Sequence, residues 1–348
     1  FSEGGREPLY VMVTGPAPPA GPVVAAGLET LVSVAGSLSD PVRDLSLRGL
    51  TFAHTASSFL GDYTAPNGGD YSLRPAAAAV LQGVERATVA DCFFRSPGGN
   101  GLLLLGYARG VRVEGNEFTR TGDSAIVSLG RSEEEDATAG DFPEGTTIAF
   151  NLAHELGVWG KQAGFYYQAL TAQTHLVGNI AFNGPRAGIC FTDGMGGGHF
   201  VEGNLLFNFV RETGDHGPFN SWDRQPYFTS LRPGPPSVYG LPSLLERNLF
   251  VANYNAIYPI DYDDGSADYE DRGNVLVYGG YKTFLGDHKQ SHGNLYLYAD
   301  VKWNTLSWTS RACADYHRGA GEAWFNNTCL LAAPGSSPYA GFGCDPAD

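Results

Sequence analysis

Eight short segments of this chain resemble one another, and their spacing restricts the fold more than any other feature. They read VADCFF (89–94), VEGNEF (113–118), IAFNLA (148–153), LVGNIA (176–181), VEGNLL (201–206), LERNLF (245–250), DRGNVL (271–276) and SHGNLY (291–296). Seven place an asparagine at one position: Asn116, Asn151, Asn179, Asn204, Asn248, Asn274 and Asn294. Several steps between these residues are 20 to 28 positions, and the longer steps to Asn151 and Asn248 predict inserted loops. A period of this size marks a solenoid. The units are apolar, short and rich in turn residues, with no run at the helical period. The expected fold is all-β: a right-handed, single-stranded parallel β-helix whose coils stack at about 4.8 Å. An asparagine repeated at a corner can bond the turn and the asparagine of the next coil, as in stacked strands.

Solenoid cores grow coil by coil, so 348 residues read as one domain. Expected within it are lead-in strands over 1–40, coils over 41–330 with long insertions near 131–145 and 211–243, and a tail over 331–348. The abrupt ends at Phe1 and Asp348, without a polar capping unit, predict a processed or partial chain whose coil ends are covered by other segments. There is no transmembrane run and no recognisable signal peptide.

A net charge of −15 argues against nucleic acid as a partner. Lysine occurs only at 161, 282, 289 and 302, which makes a neutral glycan a better expectation than a polyanionic one. Cys92 and Cys190 fall in apolar segments and are expected to be buried thiols. Cys313, Cys329 and Cys344 cluster near the C-terminus, where one disulfide of open pairing is expected. Asn326 opens an Asn-Asn-Thr glycosylation sequon. Together these favour a secreted, extracellular protein.

Candidate chemistry comes from aligning one strand of each coil on its apolar anchor: Leu102, Ile126, Phe165, Ile189, Phe219 and Ile257. Four residues later stand Gly106, Gly130, Ala169, Asp193, Asp223 and Asp261, and the next coil offers Asp287. Carboxylates stacked at coil spacing cannot all ionise without cost, so some keep a proton, pair with a base or bind a cation. Glycoside cleavage uses paired carboxylates at such distances. Capping of strand-end turns is the plain structural alternative for any one of these aspartates.

Two dense segments adjoin the column. RETGDHGPFNSWDRQPYF (211–228) supplies Asp215, His216, Asn220, Trp222, Asp223, Arg224 and Gln225. Indole beside hydrogen-bonding groups suits a sugar. IDYDDGSADYED (260–271) supplies Asp261 and Asp263 on one strand face and Asp264 at a turn. The DxDDG run shares part of a calcium-loop pattern, so calcium is an optional ligand while no cofactor is required. His154 and Glu155 form a neighbour pair that reads as structural. GMGGGHF (194–200) is a glycine-rich turn without a P-loop lysine, and there is no zinc or serine-triad signature.

The run NGPRAGICFTDGMGGGHFVEGNLLFNFVRETGDHGPFNSWDRQPY (183–227), with PIDYDDGSADY (259–269), PVRDLSLRGLTFAHT (41–55) and VWGKQAGFYYQAL (158–170), resembles β-helix proteins of the pectin-lyase-like superfamily. Among these it is most similar to glycoside hydrolase family 141, over roughly residues 28 to 300. The resemblance implies a carbohydrate-active enzyme of α-L-fucosidase or xylanase type. It places the catalytic carboxylates at Asp223 and Asp264. Asp193 matches a supporting position. Coil alignment finds Asp223 independently but not Asp264. The expectation is therefore a glycoside hydrolase acting on an extracellular or cell-wall polysaccharide, fucosylated or xylan-type. In it Asp223 and Asp264 are catalytic. Asp193, Asp261, Asp263, His216 and Arg224 support them, and Trp222, Asn220, Asp215 and Gln225 bind substrate. A different class of reading is a non-catalytic structural or glycan-binding β-helix, part of a larger extracellular chain or filament. A calcium-dependent lyase is a third.

Overall fold

The computed structural model describes residues 21, 25–64, 71–232, 234–238, 240–299, 306–308 and 321–331. Every named strand pair in it is parallel, and the described residues contain no helix. The chain is a right-handed parallel β-helix with three sheets, as the repeat predicts. One coil shows the pattern. The strand Ile126–Leu129 lies in the first sheet, Thr147–Ala149 in the second and Leu152–His154 in the third, after which Tyr166–Ala169 returns to the first. Most strands are three or four residues long, so the corners carry much of each coil.

Alternation along each strand sends one set of side chains inward. Ile148, Leu176, Val201 and Leu245 form one such inner row, each fully buried. Aromatics stack along the axis in the same way: Phe94 lies 4.6 Å from Phe52 and 4.5 Å from Phe118. These stacks place flat rings at coil spacing, where dispersion and apolar burial both stabilise them.

The corner between the second and third sheets carries the asparagines. Asn116 Nδ2 donates to Asn151 Oδ1 at 2.9 Å, Asn151 to Asn179 at 3.0 Å and Asn179 to Asn204 at 2.9 Å. The ladder continues through Asn248, Asn274 and Asn294 and extends to Asn327. Each oxygen also accepts the backbone N–H of the preceding rung, and each amide also reaches a backbone carbonyl, such as Leu176 for Asn204. At the first rung, Cys92 holds the position and donates its N–H to Asn116.

The insertions lie between the first and second sheets, over 130–146 and 222–242. The longer one is narrower than the 211–243 read from sequence. The strand Phe219–Ser221 sits inside that interval and restores the coil before the second loop begins. Cys92 and Cys190 are buried free thiols, as expected. Cys329 is also a free thiol, so it forms no disulfide, while Cys313 and Cys344 lie outside the described residues. The Asn326 of the sequon is exposed at a corner with φ 54°. His154 and Glu155 do not pair. His154 Nε2 faces Glu117 at 3.4 Å, and Glu155 accepts from Asn183.

One core position breaks the apolar rule. In the row after Leu245 comes Asp271, fully buried, bonded to Ser291 Oγ and Asn294 Nδ2 at 2.8 and 2.9 Å. Burial pushes its carboxyl up to about 7. The unfolded chain ionises this group near 3.9. The folded chain therefore holds the extra proton between those values, and stability falls as pH rises through that window. Asp271→Asn keeps the shape without the titration. Its thermal midpoint should exceed that of the wild type above pH 7 and lose the advantage near pH 4. A second expectation concerns the ladder: Asn204→Leu strands the donors of Asn179 and the Leu176 carbonyl in the core. Urea unfolding should show a loss of about 4 kcal/mol.

Candidate active site

Strand register decides which acids meet. Ile126 pairs with Tyr166, not Phe165, and Phe219 pairs with Ile260, not Ile257. Counting four residues from the paired anchors gives Gly106, Gly130, Leu170, Asp193, Asp223, Asp264 and Leu285. The acidic column therefore spans three consecutive coils and contains Asp264. Asp261 and Asp287 fall outside it. The apolar anchors misled because the corner before each strand varies in length and offers more than one apolar residue.

The three aspartates stand two residues beyond the strands Ile189–Phe191, Phe219–Ser221 and Ile260–Tyr262, at the corner leading to the second sheet. Glycine makes this corner close. A Cβ on Gly265, at φ 86°, would sit 2.1 Å from the Asp223 carbonyl oxygen. Gly194, at φ 74°, presents its N–H to Asp223 Oδ1 at 3.4 Å. The glycine-rich run 194–200 thus shapes the acid corner. Arg224 bridges the outer two acids: its backbone N–H donates to Asp193 Oδ1 at 2.5 Å, and its Nε to Asp264 Oδ2 at 2.7 Å.

Burial raises the Asp223 carboxyl to about 7, and the neighbouring Asp193 pushes in the same direction. Burial also lifts Asp193 to about 6, against the N–H groups of Arg224 and Gln225. Asp193 Oδ2 is buried with no hydrogen-bond partner. The column thus binds a proton more tightly than ordinary carboxylates do, beside an Arg224–Asp264 ion pair. The cavity against Asp223 is small, about 20 Å³, with Met195, Leu241 and Tyr269 in its walls. The partly exposed side of the column is that of Arg224 and Asp264.

A second polar row runs along the outward positions of the first sheet. Cys190, Asn220, Asp261 and Lys282 are register partners. Asn220 Nδ2 donates to Asp261 Oδ2 at 2.8 Å, and Lys282 Nζ lies 3.1 Å from both Asp261 and Asp263 and 3.5 Å from Asp215. Burial works against the Lys282 charge, but these three carboxylates outweigh it and hold the ammonium above the ordinary lysine value. Asp261 is fully buried. Burial raises its carboxyl, with His216 and Lys282 opposing, and His216 Nδ1 stands 3.9 Å away. Lys282 is the residue that sequence reasoning missed. Its signal was a rare lysine inside the short buried strand Tyr281–Thr283.

Several expected roles change. Trp222 is 1% exposed and packs in a cluster with Tyr71, Tyr167 and Cys190, under the Arg186 guanidinium at 5.0 Å. It is a core residue and offers no face to a sugar. The segment bearing Tyr71 and Leu73 is what covers it, from more than a hundred positions upstream. Asn220 is likewise buried and spent on Asp261. Asp215, with a side chain 72% exposed, and the exposed Gln225 remain open to ligand. Among the described residues no group of three or more His, Cys, Asp or Glu is placed to hold a metal. At the DxDDG run the Lys282 ammonium already faces Asp261 and Asp263, where calcium would compete with it.

No family model and no curated protein matches this chain. Solved structures do. One described as a glycoside hydrolase has a TM-score of 0.54 and 14% identity, covering 93% of this chain and 52% of its own. The Agl-KA catalytic domain has a TM-score of 0.51 and 12% identity, covering 89% and 59%. The chain thus spans about half the length of the first of these. At such identities the likeness establishes the shared β-helix fold.

The Lys282 row yields a stability test. Lys282→Met leaves Asp261 buried without its cation. Unfolding free energy at pH 7 should drop by about 3–5 kcal/mol, with a smaller loss in the Lys282→Met, Asp261→Asn double variant. Equal losses in both would show that the ion pair is not the source.

Proposed function

We propose that this chain is a glycoside hydrolase acting on an extracellular neutral polysaccharide, with Asp223 as general acid and Asp264 as nucleophile. One observation carries the reading: three aspartates share one register in consecutive coils, the middle one with its proton affinity raised by burial and the outer one paired with Arg224. The solved structures of similar fold include one described as a glycoside hydrolase. That supports the class and leaves the substrate to experiment.

The chemistry follows from the two environments. Asp223 gives its proton to the glycosidic oxygen as the bond from that oxygen to the anomeric carbon breaks. The Asp264 carboxylate attacks the anomeric carbon and forms a glycosyl ester. Water, deprotonated by Asp223, then cleaves the ester and restores both groups. Neighbouring coils are about 4.8 Å apart, near the carboxylate spacing of retaining enzymes. Asp193 raises the proton affinity of Asp223 by its charge, and Arg224 orients Asp264. Within this class, the resemblance to family 141 favours fucosylated or xylan-type substrates.

A second reading has a specific observation behind it. The cavity at Asp223 is smaller than a sugar ring, which suits a β-helix that binds glycan without cleaving it.

Hydrolysis of a panel of xylans, xyloglucans and fucosylated glycans distinguishes the two. Asp223→Asn and Asp264→Asn should each lower kcat by about a hundredfold or more. Wild-type rates in both variants exclude the mechanism, and a wild type inert on the whole panel favours the binding reading. The pH profile supplies an independent check. Asp223 must be protonated to act, so kcat/KM should fall as pH rises through about 7. In the Asp193→Asn variant this limb should move to lower pH, because a charge that favours the proton on Asp223 has been removed.

A further inference from the structure

The opposite end of the first-sheet strands, at the corner entered from the third sheet, carries exposed tyrosines. Tyr278 and Tyr298 follow Val277 and Leu297, which are register partners. The structure leaves them 48% and 51% exposed, and Tyr254 of the preceding coil 62% exposed. All three have φ between 55° and 59°. Left-handed backbone is strained for a bulky side chain and natural for asparagine. Earlier coils put Asn183 and Asn208 at this corner, at φ 58° and 54°, and before them His54, Ser96, Arg120 and Glu155, also at positive φ. The left-handed corner thus belongs to every coil, and what sets Tyr278 and Tyr298 apart is a large exposed ring at it in successive coils.

The rings do not serve as a packing ladder. Tyr278 and Tyr298 are 6.1 Å apart and inclined by 33°, unlike the buried Phe94–Phe118 stack at 4.5 Å and 11°. Their faces open on a cavity of about 650 Å³ whose walls include Asp215, Asn255 and Ile257. The Arg211 guanidinium covers the Tyr254 ring at 5.6 Å. The rim carries both signs of charge, and Asp215 is paired with Lys282. Such a surface suits a ligand with apolar faces, a hydroxyl rim and no net charge.

We propose that this tyrosine corner is a glycan-binding subsite, in which Tyr278 and Tyr298 stack against successive sugar rings of a neutral polysaccharide while Asp215 and Asn255 bond its hydroxyls. It shares with the proposed function only the class of ligand, and it requires no turnover. A chain running along the helix axis meets one ring per coil. Asp215 ties the corner to the Lys282 row and so to the acid column at the other end of the same short strands.

The test is affinity electrophoresis in gels containing xyloglucan, arabinoxylan or dextran, run with the Asp223→Asn protein to remove hydrolysis. Asparagine tolerates the corner backbone, so Tyr278→Asn, Tyr298→Asn is the variant of choice, with an unchanged or raised thermal midpoint as the check on folding. At least one polysaccharide should retard the parent, and the double variant should bind it about tenfold or more weakly. No retardation by any of the three overturns the proposal, as does equal retardation of parent and variant. A tyrosine-dependent dimer in sedimentation also overturns it, since the occupant would then be a second copy. Retardation of a protein whose wild type hydrolyses nothing supports the subsite and rejects only the enzymatic reading.

Discussion

In-register stacking at the asparagine corner is the constraint on which the rest of the molecule depends. Each amide is satisfied by the coil on either side, so no rung can slip without orphaning buried polar groups along the ladder. The geometry ignores the length of chain between rungs. Amide contacts are 2.9 Å across a 20-residue step, 2.9 Å across 35 and 3.0 Å across 44. Insertions therefore accumulate at the corners on either side of the first sheet without disturbing the stack. That freedom lets the other two corners vary in length while the asparagine corner stays regular.

Stacking also forces like positions of successive coils together, and the chain meets the resulting electrostatics in two ways. Along Cys190, Asn220, Asp261 and Lys282 it alternates chemistry. A carboxylate meets an amide on one side and an ammonium on the other, so the charge is compensated inside the row. Along Asp193, Asp223 and Asp264 it repeats the carboxylate, and relief comes from protonation and from Arg224, which belongs to the same corner. A row that only had to be stable would follow the first pattern. The second keeps a transferable proton beside an ion-paired carboxylate, an arrangement with a use in acid–base chemistry.

The repeat made the fold legible. The asparagine register follows from the strings around Asn116 to Asn294, because each amide bonds one amide of the next coil and the same residue therefore recurs. The register of the first sheet was less legible. Its strands are three or four residues long, and apolar anchors such as Phe165 and Ile257 stand close to the residues that pair, Tyr166 and Ile260. The family resemblance pointed to Asp264 where coil counting chose Asp261. Trp222 was misread for another reason. Its burial depends on Tyr71 and Arg186, contacts that no local pattern encodes. Lys282 and the left-handed tyrosines were visible as letters, but their meaning depends on which coils lie beside them.

The acid column and the tyrosine corner occupy the two ends of the same strands. A strand of three residues, such as Ile260–Tyr262, spans only about 10 Å. Between the ends lies the buried Asp261–Lys282 row, which fixes both. Lys282 holds Asp263, the residue before Asp264, and it holds Asp215, on the rim of the tyrosine cavity. One buried ammonium thus links the rim of the tyrosine cavity to the corner that carries Asp264. Under the two proposals above, rigid spacing of that kind favours a polymer over a small solute, since only an extended chain can engage both ends without bending the scaffold.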